Sequence, residues 1–345
     1  MTERIYKFVF FGSDAICLPC LEFLHMAAGR DGQLLAVVSQ PDARRGRGQQ
    51  LRANPVAAYA KAKGITLLQP EKPDVATVDW LREQEVDVSF VMAYGHYLGA
   101  SIRSVSRLGM YNFHASILPK YRGAAPIESA LAAGETETGI SFMQVERAMD
   151  SGAVADVERV GIEPLDTAFS LREKLGKAVV PLLDRVLPKV LNRSLDWTPQ
   201  VDSEASYCRK LSKADGWIDF SLSARAIINR WRAFKSWPGT YCTHGVQRLK
   251  IGSMALVNSF DTQVEGLSNE AERVPGTLIC NRDRLFVRVG NGWIRLLELQ
   301  RSGGKMLTAS EFLRGYSIET GDCLLGEKST ELTYADNKHK SEASA

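Results

Sequence analysis

The densest group of chemically capable side chains runs Asn112-Phe113-His114-Ala115-Ser116-Ile117-Leu118-Pro119-Lys120-Tyr121-Arg122-Gly123-Ala124-Ala125-Pro126. Positions two apart on a strand share a face, so Asn112 and His114 point the same way while Phe113 points into packing. An amide donor beside an imidazole at a strand end suits a reaction that builds negative charge on a carbonyl oxygen, because both groups can donate to it. Pro119 and Gly123 hold the following loop on an irregular path that lets backbone approach a ligand. A lone histidine is more often a core residue satisfied by its neighbours. Here two prolines and a Lys-Tyr-Arg-Gly turn make the adjoining loop too constrained for an ordinary surface connection. A second concentration is cationic: Arg44, Arg45, Arg47 and Arg52 lie in one glycine-interrupted loop from Asp42 to Arg52, which by itself reads as a solvated surface.

The elements that must position these groups are readable as alternating strands and helices. Lys7 to Phe11 is a compact apolar run, and helical spacing of Ile16, Cys17, Leu21 and Leu24 follows it. Leu34 to Val38, Val86 to Val91 and Met110 to His114 are further strands, with a helix over about Pro55 to Lys63. Mostly apolar strands alternating with helices predict a Rossmann-like, doubly wound α/β domain with a parallel sheet covered on both faces. Ligands in such sheets bind beyond the carboxyl ends of the strands, where the 112–126 group falls. Residues 191–206 contain Pro199 and little apolar periodicity, which predicts a linker. A helical segment from Ser221 to Phe234 then precedes short β-like runs at 249–251, 276–279, 285–289 and 293–297, the pattern of a small antiparallel barrel. The expected division is a catalytic domain at 1–190, the linker at 191–206, a β-barrel domain at 207–316 and a polar, mobile tail at 317–345.

Composition narrows the class. The 345 residues are 45% hydrophobic and 24% charged, which excludes disordered, collagenous and coiled-coil chains. No apolar run approaches the roughly 18–20 residues that span a bilayer, and no secretory leader is legible at the start. Six cysteines in this length read as thiols rather than a disulfide framework, so a cytoplasmic protein without membrane contact is expected. The net charge of +3 hides an uneven distribution. Residues 205–316 hold 17 Lys and Arg against 9 Asp and Glu, a net of +8, while 1–204 carry −2 and 317–345 carry −3. A basic back half points to a polyanionic partner.

The Asn-x-His-x-Ser-x-Leu-Pro run at 112–119 resembles the hallmark of the folate-dependent formyltransferases. The similarity extends through Gly134 to Gln144, Val91-Met92-Ala93-Tyr94-Gly95, Gln40 to Gly48 and Tyr121 to Ile127. In the back half Trp217-Ile218-Asp219-Phe220, Arg232-Ala233-Phe234, Trp237-Pro238-Gly239 and Pro275-Gly276-Thr277 look like the C-terminal domain of the members that act on methionyl-tRNA. The resemblance implies a formyltransferase domain followed by an OB-like barrel. It also implies transfer of a formyl group from 10-formyltetrahydrofolate to the α-amine of methionyl initiator tRNA, by a monomer that supports translation initiation. By the same resemblance Asp150, in Met149-Asp150-Ser151-Gly152, joins Asn112 and His114 as a catalytic residue. Ser116, Ile117, Leu118, Pro119, Tyr94 and Gly95 become folate-binding candidates. Beside a transfer site and a basic second domain, Arg44, Arg45, Arg47 and Arg52 become candidate tRNA phosphate contacts. A formyl group already activated on folate calls for no metal, and no metal-ligand spacing is evident. Two departures stand out: Ala148-Met149 replaces the family's Gly-Leu before the Asp, and Ser13 to Cys17 replaces a Pro-Glu-Phe type segment.

Other features carry less. Cys17-x-x-Cys20 has redox spacing but shares the apolar helical face, so packing is expected. Gly12-Ser13 lacks the remaining glycines of a dinucleotide fingerprint. His96 reads as a partly exposed polar residue, and Trp231 and Trp237 as packing groups. Two competing functions fit parts of this pattern: a formyltransferase acting on an amino sugar nucleotide or other small amine, and a non-catalytic RNA-binding protein on the same scaffold. The arginine loop and basic back half weigh against the first, and the Asn/His/Asp set against the second.

Overall fold

Continuous apolar strands make a sheet that must be covered on both sides, and the chain supplies the cover from helices on each face. The computed structural model describes residues 5–27, 32–45, 50–258, 261, 267 and 274–335, with Arg45 described by its backbone alone. In the front half the strands are β1 (Tyr6–Gly12), β2 (Gly32–Val38), β3 (Ala43–Arg45), β4 (Gln50–Arg52), β5 (Thr66–Leu68), β6 (Val88–Met92), β7 (Gly109–His114), β8 (Arg122–Gly123), β9 (Glu137–Gln144) and β10 (Val154–Gly161). The helices are α1 (Leu18–Met26), α2 (Pro55–Lys63), α3 (Val75–Glu83), α4 (Ala100–Arg103), α5 (Pro126–Ala133) and α6 (Ala168–Leu191). Among the described residues seven strands form the main sheet, in the order β10-β9-β7-β6-β1-β2-β5. Strands β5, β2, β1, β6 and β7 are parallel, and β9 and β10 add an antiparallel edge.

Phe8 to Phe11 in β1 are fully buried. Phe8 and Phe10 join a core with α1, α2, α5 and α6, whereas Val9 and Phe11 face α3 and α4. The expected doubly wound α/β architecture is therefore present. Its strand order reverses at β1 and β6, so the carboxyl ends of β1, β6 and β7 open on one crevice. Local sequence sets the helix ends. Asn54 caps α2 by accepting from the Ala57 N–H, Pro55 occupies the first turn, and Gly64 ends the helix in the left-handed region.

The back half contributes β11 (Tyr207–Cys208), α7 (Ala224–Phe234), β12 (Thr240–His244), β13 (Gln247–Leu256), β14 (Leu278–Asn281), β15 (Arg284–Val289), β16 (Gly292–Arg301), β17 (Leu307–Thr308), α8 (Ala309–Gly315), β18 (Leu324–Leu325) and β19 (Thr333–Tyr334). Antiparallel pairing runs β14-β15-β16-β13-β12-β18. Hydrogen bonds from the Leu278 N–H to the Asp322 carbonyl (2.7 Å) and from the Leu324 N–H to the Gly276 carbonyl (2.8 Å) bring the last strand back to the first. The curled sheet closes around its own apolar core, as the OB-like barrel expectation requires. Helix α7 packs on the front half, where Ala233 and Phe234 enter the main core. Arg232 fixes this contact by donating to the carbonyls of Asp166 (2.7 Å) and Glu163 (2.8 Å).

Three segments differ from the sequence expectation. The basic loop is a two-stranded ribbon of β3 and β4, pairing Arg44 with Leu51 and Arg45 with Gln50. Asp42 at its base accepts from Lys61 (2.9 Å) and Gln69 (2.8 Å); Arg47 lies outside the described residues. The segment at 191–206 is packed along the front domain, with Thr198 bridged to Val154 and the Ser206 carbonyl accepting from the Arg122 N–H (2.8 Å). Residues 317–335, expected in a mobile tail, include β18 in the barrel and β19, which completes a sheet in the order β19-β11-β8. Two-residue strands carry no periodicity to read, so this pairing is a tertiary effect. Among the described residues no helix is long and apolar enough to cross a membrane.

Candidate active site

Strand β7 delivers Asn112 and His114 to the crevice. Asn112 lies opposite Val91 of β6 and Met143 of β9, and His114 opposite Ser141. Asn112 is half-buried, and its side-chain amide has no hydrogen-bond partner among the described residues. His114 is buried, held at Nε2 and facing a carboxylate at Nδ1. Its Nε2 lies 2.9 Å from the Tyr121 carbonyl and its Nδ1 3.6 Å from Asp150 Oδ2. A carbonyl only accepts, so Nε2 donates to it, and Nδ1 faces the Asp150 carboxylate.

The loop after β7 is fixed from within. The Ser116 hydroxyl donates to the Lys120 carbonyl (2.6 Å), the Ser141 hydroxyl donates to the Ser116 carbonyl (2.7 Å), and the Leu118 N–H donates to Ser141 Oγ (3.1 Å). Ser116 is fully buried, so it offers a ligand no side chain. Ile117 and Pro119 are half-buried, Leu118 is buried, and the Leu118–Pro119 bond is cis. Tyr121 has φ +59° and Gly123 φ +115°. A Cβ at Gly123 would sit 2.3 Å from the Cys208 carbonyl oxygen, so the close pairing of β8 with β11 requires glycine there. Burial pushes the Cys208 thiol up to about 12, leaving it a protonated donor to the same Tyr121 carbonyl that His114 uses (3.6 Å).

Asp150 approaches from the turn between β9 and β10. Its backbone is left-handed, with φ +52°, a conformation Asp tolerates better than most residues. Its Oδ2 accepts from the Gly123 N–H at 2.8 Å. Gln200 donates to the carbonyls of Asp150 (2.8 Å) and Gly152 (2.7 Å) and accepts from Arg122 Nε (2.9 Å). Arg122, 1% exposed, also donates to Asp202 (3.0 Å) and to the Tyr207 hydroxyl (2.9 Å). Ahead of Asp150, where Ala148-Met149 departs from the family pattern, the Ser151 hydroxyl closes the turn on the Ala148 carbonyl (3.0 Å). Sequence reasoning missed Tyr121, Arg122 and Gln200 as parts of this group. Tyr121 and Arg122 stood in the constrained loop it singled out, whereas Gln200 gave no local signal.

The remaining candidates divide. Tyr94 and Gly95 follow β6 at the same sheet end, but Tyr94 is a core residue, edge-on to Phe11 (5.5 Å) and His96 (5.3 Å). Burial pushes its phenol up to about 12. Its carbonyl accepts from Gln40 Nε2 (3.0 Å), and Gly95 turns at φ +82° where a Cβ would meet that same nitrogen at 2.6 Å. No hydrogen bond among the described residues ties this loop to His114 or Asp150; the tie runs through pairing of β6 with β7. The ribbon follows β2 at the same end of the sheet, with Arg52 exposed and donating to Gln50 (3.1 Å). Cys17 and Cys20 are fully buried, and burial pushes the Cys17 thiol up to about 12, as packing residues require.

Known proteins share this organisation. Residues 6–187 match the formyl transferase family model, and residues 210–317 match that of the formyl transferase C-terminal domain. A methionyl-tRNA formyltransferase of Sorangium cellulosum is 38% identical over 317 residues, covering 91% of this chain and 97% of that protein. One from Caldanaerobacter subterraneus is 36% identical over 320 residues, covering 92% and 99%. Among solved structures, the N-formyltransferase from Helicobacter canadensis, in complex with folinic acid and dTDP-3-aminofucose, superposes with a TM-score of 0.62 at 18% identity, covering 86% of this chain and 100% of that one. At that identity the likeness speaks for the fold. From residue 6 to residue 317 the chain thus carries both domains of the formyl transferase family, and it belongs to that family.

Proposed function

We propose that the chain transfers the formyl group of 10-formyltetrahydrofolate to the α-amine of methionine on initiator tRNA, in support of translation initiation and in the cytoplasm, where charged tRNA is used. The observation that carries this reading is the identity of 36–38% with methionyl-tRNA formyltransferases over 91–92% of the chain, front domain and basic barrel together.

The donor supplies a formyl carbon already activated by its folate nitrogen. When the amine adds to that carbon, charge gathers on the formyl oxygen. The Asn112 amide, without a partner among the described residues, is available to donate to it; one such donor is worth about 10²–10³ in rate. The attacking amine must lose a proton and the departing folate nitrogen must gain one. His114 Nδ1, 3.6 Å from Asp150, is where a proton is held between these events, because Nε2 is committed to the Tyr121 carbonyl. The 116–119 loop and the Tyr94–Gly95 turn flank the crevice as backbone and apolar surface for folate. The β3–β4 ribbon and the barrel supply cations for tRNA phosphates.

A formyl-transfer assay with charged initiator tRNA, charged elongator tRNA and amino sugar nucleotides tests the reading. Initiator methionyl-tRNA is expected to be the efficient acceptor. Formylation of the sugar nucleotide alone would overturn it, and RNA binding without any transfer would favour a non-catalytic binder.

A further inference from the structure

We infer that Gln200 is a positioning residue for Asp150, acting from the segment that joins the two domains; the inference rests on the reading that Asp150 takes part in formyl transfer. Left-handed backbone still costs an aspartate some stability, so the contacts around it decide how firmly the turn is held. Two contacts do so here. The Gly123 N–H holds the carboxylate (2.8 Å), and Gln200 Nε2 bridges the carbonyls of Asp150 and Gly152 at 2.8 and 2.7 Å. The Gln200 oxygen meanwhile accepts from Arg122 Nε. Arg122 is the neighbour of Gly123 in β8, whose register is fixed by pairing with Tyr207 and Cys208. One amide therefore ties together the Asp150 turn, the loop that supplies both Gly123 and the Tyr121 carbonyl, and the interdomain segment.

Glutamine is the residue type the geometry asks for. Bridging two carbonyls needs an amide nitrogen with two hydrogens, and capping Arg122 needs an oxygen on the same side chain. Glutamate keeps the Arg122 partner but sets a carboxylate oxygen against two carbonyls. Methionine matches the length of the side chain and removes every strong hydrogen bond.

The test uses the full chain with Gln200→Met and Gln200→Glu. In both, kcat for methionyl-tRNA is expected to fall about 10- to 100-fold, the scale of a misplaced catalytic group. KM for tRNA and for the formyl donor should stay within about threefold, the signature of a loss confined to the transition state. Thermal midpoints should fall by a few degrees, because Gln200→Met leaves the buried Arg122 Nε without its partner and Gln200→Glu faces two carbonyls with a carboxylate, and the hydrogen-bonded amides around the turn, Gly123, Gln144 and Val154, should exchange faster. A kcat within about twofold of wild type overturns the inference, as does a raised tRNA KM at unchanged kcat. A loss of kcat with unaltered exchange at Gly123, Gln144 and Val154 also overturns it, because Gln200 would then act on substrate directly. If the wild-type chain transfers no formyl group, the reaction reading fails, and the exchange comparison alone still decides whether Gln200 holds the turn.

Discussion

Around Asp150 the backbone is irregular: Asp150 and Tyr121 have φ of +52° and +59°, and residues 114, 123 and 200 converge on one turn. The barrel is antiparallel pairing, with a bulge between β13 and β16 near Ser253, around an apolar cluster, and cations are laid on its aromatic rings. Arg248 sits 3.6 Å from the Tyr241 ring centroid, and Arg301 5.8 Å from that of Tyr316. The difference follows from the tasks proposed for each region. Moving a proton from the attacking amine to the departing nitrogen beside a formyl carbon demands atoms fixed to fractions of an ångström, which directed hydrogen bonds across long sequence separations supply. Holding a polyanion demands charge and area, which tolerate local change. Single substitutions should accordingly act on different kinetic constants in the two regions.

The largest effect belongs to the front crevice. His114→Ala or Asp150→Ala should lower kcat by at least about 10²–10³ with little change in tRNA KM, read by steady-state kinetics. An increase in KM alone would erase the contrast. Next comes a structural effect at the entrance to the barrel. Burial pushes the Asp215 carboxyl up, but the Arg209 guanidinium and the Ser212 N–H outweigh it and hold the group at about 2. That lies below the unfolded value near 3.9, so the ionised group stabilises the fold above about pH 4, by about 2 kcal/mol. The contribution drains away as pH falls from about 4 to about 2. Denaturant melts of wild type and Asp215→Asn should therefore differ at pH 7 and converge near pH 2. A difference that persists at low pH would contradict the ion pair's role.

A smaller effect is expected at the ribbon. Arg44→Ala with Arg52→Ala should raise tRNA KM several-fold, to about tenfold, and flatten its dependence on salt. The logarithmic slope should fall by about one unit for each phosphate that is no longer neutralised. Unaltered salt dependence would remove the ribbon from the tRNA path. The smallest effect is at Cys20→Ala, which should leave kcat within about twofold, since a buried thiol pushed well above its ordinary value is a packing group.

The parts legible in sequence are those with a repeating physical signal. Lys7 to Phe11 and Val86 to Val91 read as strands, and β1 and β6 fall on them, because central parallel strands are apolar on both faces. Asn112 and His114 read as a pair because alternation puts them on one face. The left-handed turn at Asp150 had no such signal, since aspartate enters that region without announcing it. Gln200 stood in a polar stretch whose partners lie 48 and 50 residues away. The ribbon read as a loop because three-residue strands rich in arginine show no apolar period. Residues 333–334 read as tail because their pairing with β11 is a property of the assembled fold.

The most direct measurement is single-turnover formyl transfer from 10-formyltetrahydrofolate to initiator methionyl-tRNA at saturating concentrations of both, comparing wild type, Asp150→Ala and the Arg44→Ala/Arg52→Ala double variant. Rapid transfer by wild type is predicted, with a rate lower by at least about 10² in Asp150→Ala. Saturation should restore the double variant to within about threefold of wild type. No transfer by wild type, or equal losses in both variants, would contradict the account.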